Sequence, residues 1–110
     1  MNPFDLWEIR FEEELNQAQA ARKAGNEGKA RVCARRAAGI VIGEFLNRKG
    51  IPSPGPGAYD RLRYLVSLDI VEEEVKEIAG HFLLRIKEDR SLPIQVDLIA
   101  EVHWLVEKLL

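Results

Sequence analysis

The chain has 110 residues, of which 46% are hydrophobic and 31% charged, and its net charge is −2. This composition is typical of a folded globular protein rather than a disordered one, and the length suits a single domain over residues 1–110. The single cysteine, Cys33, excludes an intramolecular disulfide and a cysteine metal cluster within one chain. No apolar run approaches the roughly 20 residues that span a bilayer, and the acidic start lacks a signal-peptide pattern. We therefore expect a cytoplasmic protein with no membrane contact.

Charge is distributed unevenly along the chain. Residues 1–21 carry one basic and five acidic side chains, residues 22–63 carry ten basic and three acidic ones, and residues 64–110 carry five basic and ten acidic ones. A basic centre between acidic flanks indicates either internal pairing across packed helices or a patch for phosphate or an acidic partner. Internal pairing is the simpler explanation.

The first two helices are predicted from their caps and from the spacing of apolar residues. Asn2 followed by Pro3 is typical of a helix start, and this helix is expected to end near Gly25. The second helix is expected from about residue 27 to residue 49, capped at its start by Asn26 and ending at Gly50. The apolar stripe of the first helix consists of Phe4, Trp7, Phe11, Leu15 and Ala18. The stripe of the second helix consists of Ala30, Ala34, Ala37, Val41 and Phe45.

The second half of the chain predicts three more helices. Residues 50–57 hold three prolines and three glycines, which excludes helix and strand, so they form a loop. A short helix, "AYDRLRYLVSL", follows this loop. The next helix is expected to be capped by Ser67 or Asp69 and to reach Ile86, and the last helix is expected to open at Pro93. We predict an all-α fold, an antiparallel bundle of four long helices plus one short helix.

The second helix contains two glycines four residues apart in its most apolar stretch, "AAGIVIGEFL". Glycine inside a helix costs about 1 kcal/mol relative to alanine, so these positions need an explanation. A helix that is apolar nearly all round is buried nearly all round, and glycines permit close helix–helix approach. We expect Gly39, Ile40 and Gly43 to lie at the interface of a homodimer, the alternative being contact with another helix of the same chain.

Three segments of the chain carry a family resemblance. They are "EGKARVCARRAAGIVIGEFLNRKGI", "YDRLRYL" and the closing "IQVDLIAEVHWLVEKLL". Together they resemble the HEPN family of helical bundles, whose members are often homodimers. The second segment is similar to the family motif His-x-x-Leu-x-x-Leu, with Leu62 and Leu65 retained and Tyr59 at the histidine position. The resemblance covers roughly residues 15–110 and implies a homodimeric bundle with a nucleotidyltransferase as a partner protein.

The ribonuclease motif of that family is absent. Ribonuclease members carry an arginine followed a few residues later by histidine, near the start of the last helix. In this chain Arg85 is followed by "IKEDRSLP" and Arg90 by "SLPIQVD", and neither segment contains histidine. The resemblance therefore implies a non-enzymatic interaction module. A nucleotide- or RNA-binding domain and a divergent HEPN ribonuclease are the alternatives.

The candidate ligand-binding residues are basic side chains on the second helix and the short helix. Arg35, Arg36, Arg61 and Arg63 are the candidates for phosphate or partner binding. Tyr59 either stacks on a base or, as is more usual, packs over the end of a helix. The sequence pI of 5.7 is far below the value of about 9 that is usual for nucleic-acid-binding domains. This acidity argues against unspecific duplex binding and leaves a small RNA, a nucleotide or an acidic protein partner.

Histidines and acidic residues give no catalytic or metal-binding pattern. His81 and His103 occur near Glu77 and Glu101, but the spacings do not match the Glu-x-x-His pairs of di-iron bundles. No nucleophile or matched carboxylate pair accompanies the histidines, so we predict no catalytic residue, no metal and no cofactor. Cys33, inside the apolar helix, is expected to be a small buried side chain rather than a reactive thiol.

Overall fold

The computed structural model describes residues 6–84 and 94–110. In these ranges the chain forms five α-helices and no β-strand, which confirms the all-α prediction. They are α1 (Leu6–Lys23), α2 (Glu27–Arg48), α3 (Ala58–Ser67), α4 (Glu73–His81) and α5 (Leu98–Leu109). α1 and α2 have 18 and 22 residues, whereas α3, α4 and α5 have 10, 9 and 12. The described residues thus form two long and three shorter helices, where the sequence predicted four long helices and one short.

The limits of α2 agree with the prediction. The side chain of Asn26 caps its start by accepting a hydrogen bond from the backbone N–H of Lys29 at 3.1 Å. Gly25, just before the cap, has φ +79°, and Gly50, just after the helix, has φ +68°. Both angles lie in the left-handed region that favours glycine. Gly25 therefore ends α1, and Gly50 ends α2.

α4 is shorter than the sequence predicts. The Ser67 hydroxyl donates a hydrogen bond to the Tyr64 carbonyl at 2.6 Å, so it belongs to the end of α3 and does not cap α4. Glu72 occupies the N-cap position of α4 instead, and the helix ends at His81. The predicted extension to Ile86 runs into residues outside the described ranges.

α5 begins at an aspartate cap that the sequence analysis missed. The Asp97 carboxylate accepts hydrogen bonds from the backbone N–H groups of Ile99 at 3.1 Å and Ala100 at 3.3 Å. Residues 94–96 are not helical. The predicted starts of the first helix at Asn2 and of the last at Pro93 lie outside the described residues.

α2 is the central helix of the fold. It packs against α1, α3 and α5, and its predicted core stripe is buried. The buried residues of α2 are Ala30, Cys33, Ala34, Ala37, Ala38, Gly39, Val41, Ile42, Phe45 and Leu46. Apolar surface buried in this way stabilises the fold by about 25 cal/mol per Å². Three helices of the same chain therefore cover much of the apolar surface that the sequence analysis assigned to a second copy.

The two glycines of α2 face α3. A Cβ atom on Gly39 would lie 2.6 Å from the Cβ and 2.7 Å from the Cα of Ala58. A Cβ atom on Gly43 would lie 2.7 Å from the Cζ of Arg61. Glycine thus permits close approach, and in the described structure the approaching helix is α3 of the same chain, which is the alternative given above. Ile40 is partly exposed, and the homodimer itself stays a prediction.

Ion pairs connect the helix ends. Arg22 on α1 lies 2.6 Å from Glu27 at the start of α2 and 2.9 Å from Asp97 at the start of α5. His81 Nδ1 on α4 lies 2.8 Å from a carboxylate oxygen of Glu101 on α5. Part of the charge of the chain is therefore used in internal pairing, which the sequence analysis gave as the simpler explanation.

Candidate functional site: an arginine cleft

α1, α2 and the beginning of α3 enclose an open cleft of about 310 Å³, which we call the arginine cleft. α1 contributes its second and third turns, α2 its middle, and the proline-rich loop and α3 the remaining wall. The lining residues are Arg10, Glu13, Glu14, Arg36, Gly39, Ile40, Pro56, Ala58 and Arg61. The cleft therefore combines three arginines and two glutamates with a small apolar surface.

Arg61 is held in a fixed position at the wall of this cleft. Its Nε atom donates hydrogen bonds to the carbonyl of Gly55 at 2.8 Å and the hydroxyl of Ser53 at 3.2 Å. Its Nη1 atom donates to the carbonyl of Gly39 at 3.0 Å. The missing side chain of Gly43 leaves the space that the guanidinium fills. Nη2 donates no hydrogen bond to any residue in the described ranges.

The charge of Arg61 is not balanced by a neighbouring carboxylate. Among residues 6–84 and 94–110 no Asp or Glu oxygen lies within 4.0 Å of its guanidinium. Burial lowers the pKa of Arg61, and the positive charge of Arg10 lowers it further. The cleft therefore holds two like charges, which an anion between them would stabilise.

Arg10 and Arg36 complete the cationic lining. Both side chains are exposed, and neither forms an ion pair with a carboxylate in the part of the chain that the structure describes. Hydrogen bonds between guanidinium groups and carboxylate or phosphate are short and stronger than neutral ones. The arrangement of Arg10, Arg36 and Arg61 is therefore suited to an anionic ligand.

Glu13 and Glu14 bring negative charge into the same cleft. Glu13 is exposed, whereas Glu14 is partly buried and its Oε2 atom accepts no hydrogen bond from the described residues. Burial raises the pKa of Cys33, and the neighbouring Glu14 carboxylate raises it further. Cys33 is 1% exposed, which confirms the prediction of a small buried side chain.

The structure separates the basic residues that the sequence analysis grouped together. Of the four arginines, only Arg36 and Arg61 line the cleft. Arg35 donates its Nε hydrogen bond to the carbonyl of Phe82 at 2.9 Å, so it holds the end of α4 against α2. The guanidinium of Arg63 lies 5.8 Å from the ring centre of Tyr59. Tyr59 and Arg63 are each two positions from Arg61 in α3, which is about 200° around the helix. Both therefore face away from the cleft.

Arg10, Glu13 and Glu14 are the cleft residues that sequence reasoning missed. Arg10 lies in the acidic first segment, so the summed charge of that segment concealed it. The signal that would have found it is the helical hairpin. Residues 24–26 connect the two long helices, and Arg10 and Glu14 of α1 line the same cleft as Arg36 and Ile40 of α2.

The histidine and acidic candidates do not form a second site. His81 is paired with Glu101 across α4 and α5, while His103 and Glu77 are exposed. The described residues contain no group of three or more His, Cys, Asp and Glu side chains placed to hold a metal ion. Arg85 and Arg90, the two arginines tested above for the ribonuclease motif, lie outside the described ranges.

Comparison with known proteins gives no relative. No protein-family model matches the chain, and neither a curated protein nor a solved structure matches it. Among the described residues, no helix has the length and apolar character that crossing a membrane requires. The arginine cleft therefore carries the functional argument by its geometry and charge.

Proposed function

We propose that this protein is a non-enzymatic, cytoplasmic helical binding module whose arginine cleft takes the phosphate of a mononucleotide. One observation carries the proposal. The Arg61 guanidinium is fixed by three protein oxygens, has no carboxylate partner in the described structure and keeps Nη2 without a protein acceptor. A guanidinium fixed in this way is preorganised for phosphate, because little side-chain freedom is lost on binding.

The size and charge of the site favour a small ligand over a polymer. A volume of about 310 Å³ is near the lower end of small-molecule sites, which span about 300–1,000 Å³. The net charge of −2 on the whole chain disfavours a polyanion such as a long RNA. Ile40, Pro56 and Ala58 supply an apolar surface beside the arginines, which suits the flat base of a nucleotide.

The HEPN resemblance adds homodimer formation and a nucleotidyltransferase partner protein to the proposal. Support for association comes from apolar side chains left exposed on the described structure. Leu6 and Ile9, three residues apart on α1, are 65% and 52% exposed, and Ile70 is 63% exposed. Analytical ultracentrifugation is expected to give a species of about twice 12.5 kDa. A 12.5 kDa species at every protein concentration tested would contradict the homodimer.

The test of the cleft is a calorimetric titration of the full chain with AMP. Arg36→Met and Arg61→Met are each expected to weaken binding at least about tenfold, since a hydrogen bond to a charged group contributes about 1.5–3 kcal/mol. Arg63→Met is the matched control, because it removes an arginine from the same helix as Arg61 but from the opposite face. Its affinity is expected to stay within about twofold of wild type, as for surface changes away from the site.

Two outcomes would contradict the proposal. The first is no AMP binding by the wild-type chain, and the second is an equal loss of binding in the Arg63→Met control. Binding is also expected to weaken as salt is added, because the attraction is between charges. The non-enzymatic character is tested separately by incubation with labelled RNA, where we expect no cleavage above a heat-denatured control.

A further inference from the structure

A second groove lies where α2 ends, and we call it the lysine groove. The end of α2, the turn between α3 and α4, and the last turn of α5 enclose about 390 Å³. Its apolar lining includes the buried side chains of Phe45, Val71 and Val75. Lys49 and Lys108 line the same groove and are exposed. The lysine groove therefore combines apolar surface with two positive charges.

The charges of this groove and part of its apolar surface have no partner among the described residues. Neither Lys49 nor Lys108 forms an ion pair with a carboxylate in residues 6–84 and 94–110. Glu72 also lines the groove but does not pair with either lysine. Ile70 lines the groove and is 63% exposed. A partner that is both apolar and negatively charged would be complementary to this surface.

The first turns of α1 carry a surface of that kind, which we call the acidic patch. It consists of Leu6, Ile9, Glu12 and Glu13. Leu6 and Ile9 are 65% and 52% exposed. Glu12 and Glu13 follow Ile9 by three and four residues, so they lie beside it on the helix surface. Both glutamates are exposed, and neither forms an ion pair in the described part of the chain.

We infer that the acidic patch of one copy of this chain docks in the lysine groove of a second copy. The inference rests on the homodimer of the proposed function and adds the two surfaces that meet. Leu6 and Ile9 cover Ile70 and the apolar lining of the groove, and the two glutamates pair with Lys49 and Lys108. Contact between opposite charges also fixes the orientation of the two copies.

The positions of the two surfaces favour a second copy as the occupant. Leu6, Ile9 and Ile70 are all exposed in the same molecule, so the acidic patch of a chain leaves its own groove uncovered. Both surfaces nevertheless lie near the end of α2, because the guanidinium of Arg48, next to Lys49, is 5.8 Å from the ring centre of Trp7. Two equivalent contacts related by a two-fold axis would then close the dimer.

The experiment reverses the charges of each surface and measures sedimentation of the full chain. Glu12→Lys with Glu13→Lys makes the patch basic, and Lys49→Glu with Lys108→Glu makes the groove acidic. Each double variant alone is expected to sediment at 12.5 kDa, because like charges then meet at both contacts. An equimolar mixture of the two variants is expected to restore the species of about twice 12.5 kDa, because opposite charges face each other again at both contacts.

The matched control is Lys23→Glu with Lys29→Glu. It changes the net charge by the same amount as the groove variant, and both lysines are exposed and lie outside the groove. This control is expected to sediment as wild type. Thermal melts verify that each variant is folded. If a double variant is unfolded, Glu12→Lys and Lys108→Glu replace the pair, and each alone is expected to weaken the dimer at least about tenfold, with recovery in the mixture.

The outcomes separate the docking surfaces from the homodimer itself. A folded patch or groove variant that stays dimeric alone would overturn the docking of these surfaces and leave the homodimer intact. A mixture that stays monomeric, or dissociation of the Lys23→Glu, Lys29→Glu control, would also overturn it. A wild-type chain that is monomeric at every concentration would overturn both, and the groove would then have another occupant. None of these results bears on AMP binding by the arginine cleft, which is measured separately.

Discussion

The guanidinium of Arg61 lies in the space that a side chain at Gly43 would occupy. Its Nη1 atom reaches the backbone carbonyl of Gly39, one turn earlier in α2, at 3.0 Å. The two glycines of α2 thus have distinct consequences. Gly39 permits the backbone of α3 to approach at Ala58, and Gly43 gives the arginine of the cleft its place. The helix propensity lost at these positions is offset by the packing of α3 and by the placement of Arg61.

Replacing Gly39 is expected to destabilise the fold. In Gly39→Ala the new methyl group would meet the Cα atom of Ala58 at 2.7 Å, and backbone cannot move aside cheaply. We expect a loss of about 1–3 kcal/mol in the free energy of unfolding, measured by urea denaturation. Gly80→Ala on α4 is the matched control, because a Cβ atom there meets nothing within 4 Å. It is expected to raise stability by up to about 1 kcal/mol, and equal effects of the two changes would refute the packing argument.

Replacing Gly43 is expected to affect binding more than stability. In Gly43→Ala the new methyl group meets the far end of the Arg61 side chain, which can move. The guanidinium would then leave its position, and its hydrogen bond to the Gly39 carbonyl would be lost. We expect AMP affinity to fall about tenfold, as calorimetry would show, with less than about 1 kcal/mol lost in unfolding free energy. Unchanged affinity, with the protein folded, would show that the position of Arg61 does not matter for binding.

The adjacent arginines of α2 are expected to separate stability from binding. Arg35→Met removes the hydrogen bond to the Phe82 carbonyl and should lower the unfolding free energy by about 1 kcal/mol with AMP affinity unchanged. Arg36→Met is expected to weaken AMP binding and to leave the unfolding free energy unchanged. Arg36 lines the cleft and forms no hydrogen bond with the residues described. Thermal melts and titrations of both variants decide the matter. Loss of binding in Arg35→Met, or of stability in Arg36→Met, would reverse these assignments.

The pairing of Asp97 with Arg22 predicts a pH dependence of stability. Burial alone would raise the pKa of Asp97, but the hydrogen bonds from Arg22 and from the first turn of α5 lower it overall. A carboxyl whose folded pKa is below its unfolded value of about 3.9 stabilises the fold above that pH. This contribution is lost as the pH falls through the folded pKa.

The corresponding variant is Asp97→Asn, which retains a side chain able to cap α5. Its deficit in unfolding free energy relative to wild type is expected to be largest above about pH 5 and to shrink below about pH 4. The deficit should be small and should decrease with added salt, because the two side chains are 36% and 55% exposed. A deficit that is the same at all pH values would mean that the ion pair contributes nothing.

The limits of a helix could be predicted where the cap or the glycine acts on its own helix. The predictions were wrong where a side chain can form one of two alternative hydrogen bonds. Asn26 and Gly50 delimit α2 as predicted, because a cap and a terminal glycine act on their own helix. Ser67 has the side chain of an N-cap, yet its hydroxyl bonds back to Tyr64. Asp97 was passed over because Pro93 is the stronger helix-start signal in the same segment. Local sequence does not state which of two competing hydrogen bonds forms.

The candidate site was only half predictable, because it is made by contacts between helices. Arg36 and Arg61 were chosen for their charge, and both line the cleft. Arg35 and Arg63 have the same chemistry but point elsewhere, since one or two positions on a helix change direction by about 100° or 200°. Arg10 enters the site only through the antiparallel packing of α1 on α2, which composition does not reveal.

The most direct test of the account is to map the ligand-binding surface by NMR. Amide chemical shifts of the ¹⁵N-labelled full chain are followed as AMP is added. The account predicts that the largest changes occur in the arginine cleft, at Arg10, Glu14, Gly39, Ala58 and Arg61, and that the same titration of Arg36→Met gives much smaller changes. Changes confined to the outer face of α3 around Arg63, or no changes at millimolar AMP, would contradict the claim that the arginine cleft binds a nucleotide phosphate.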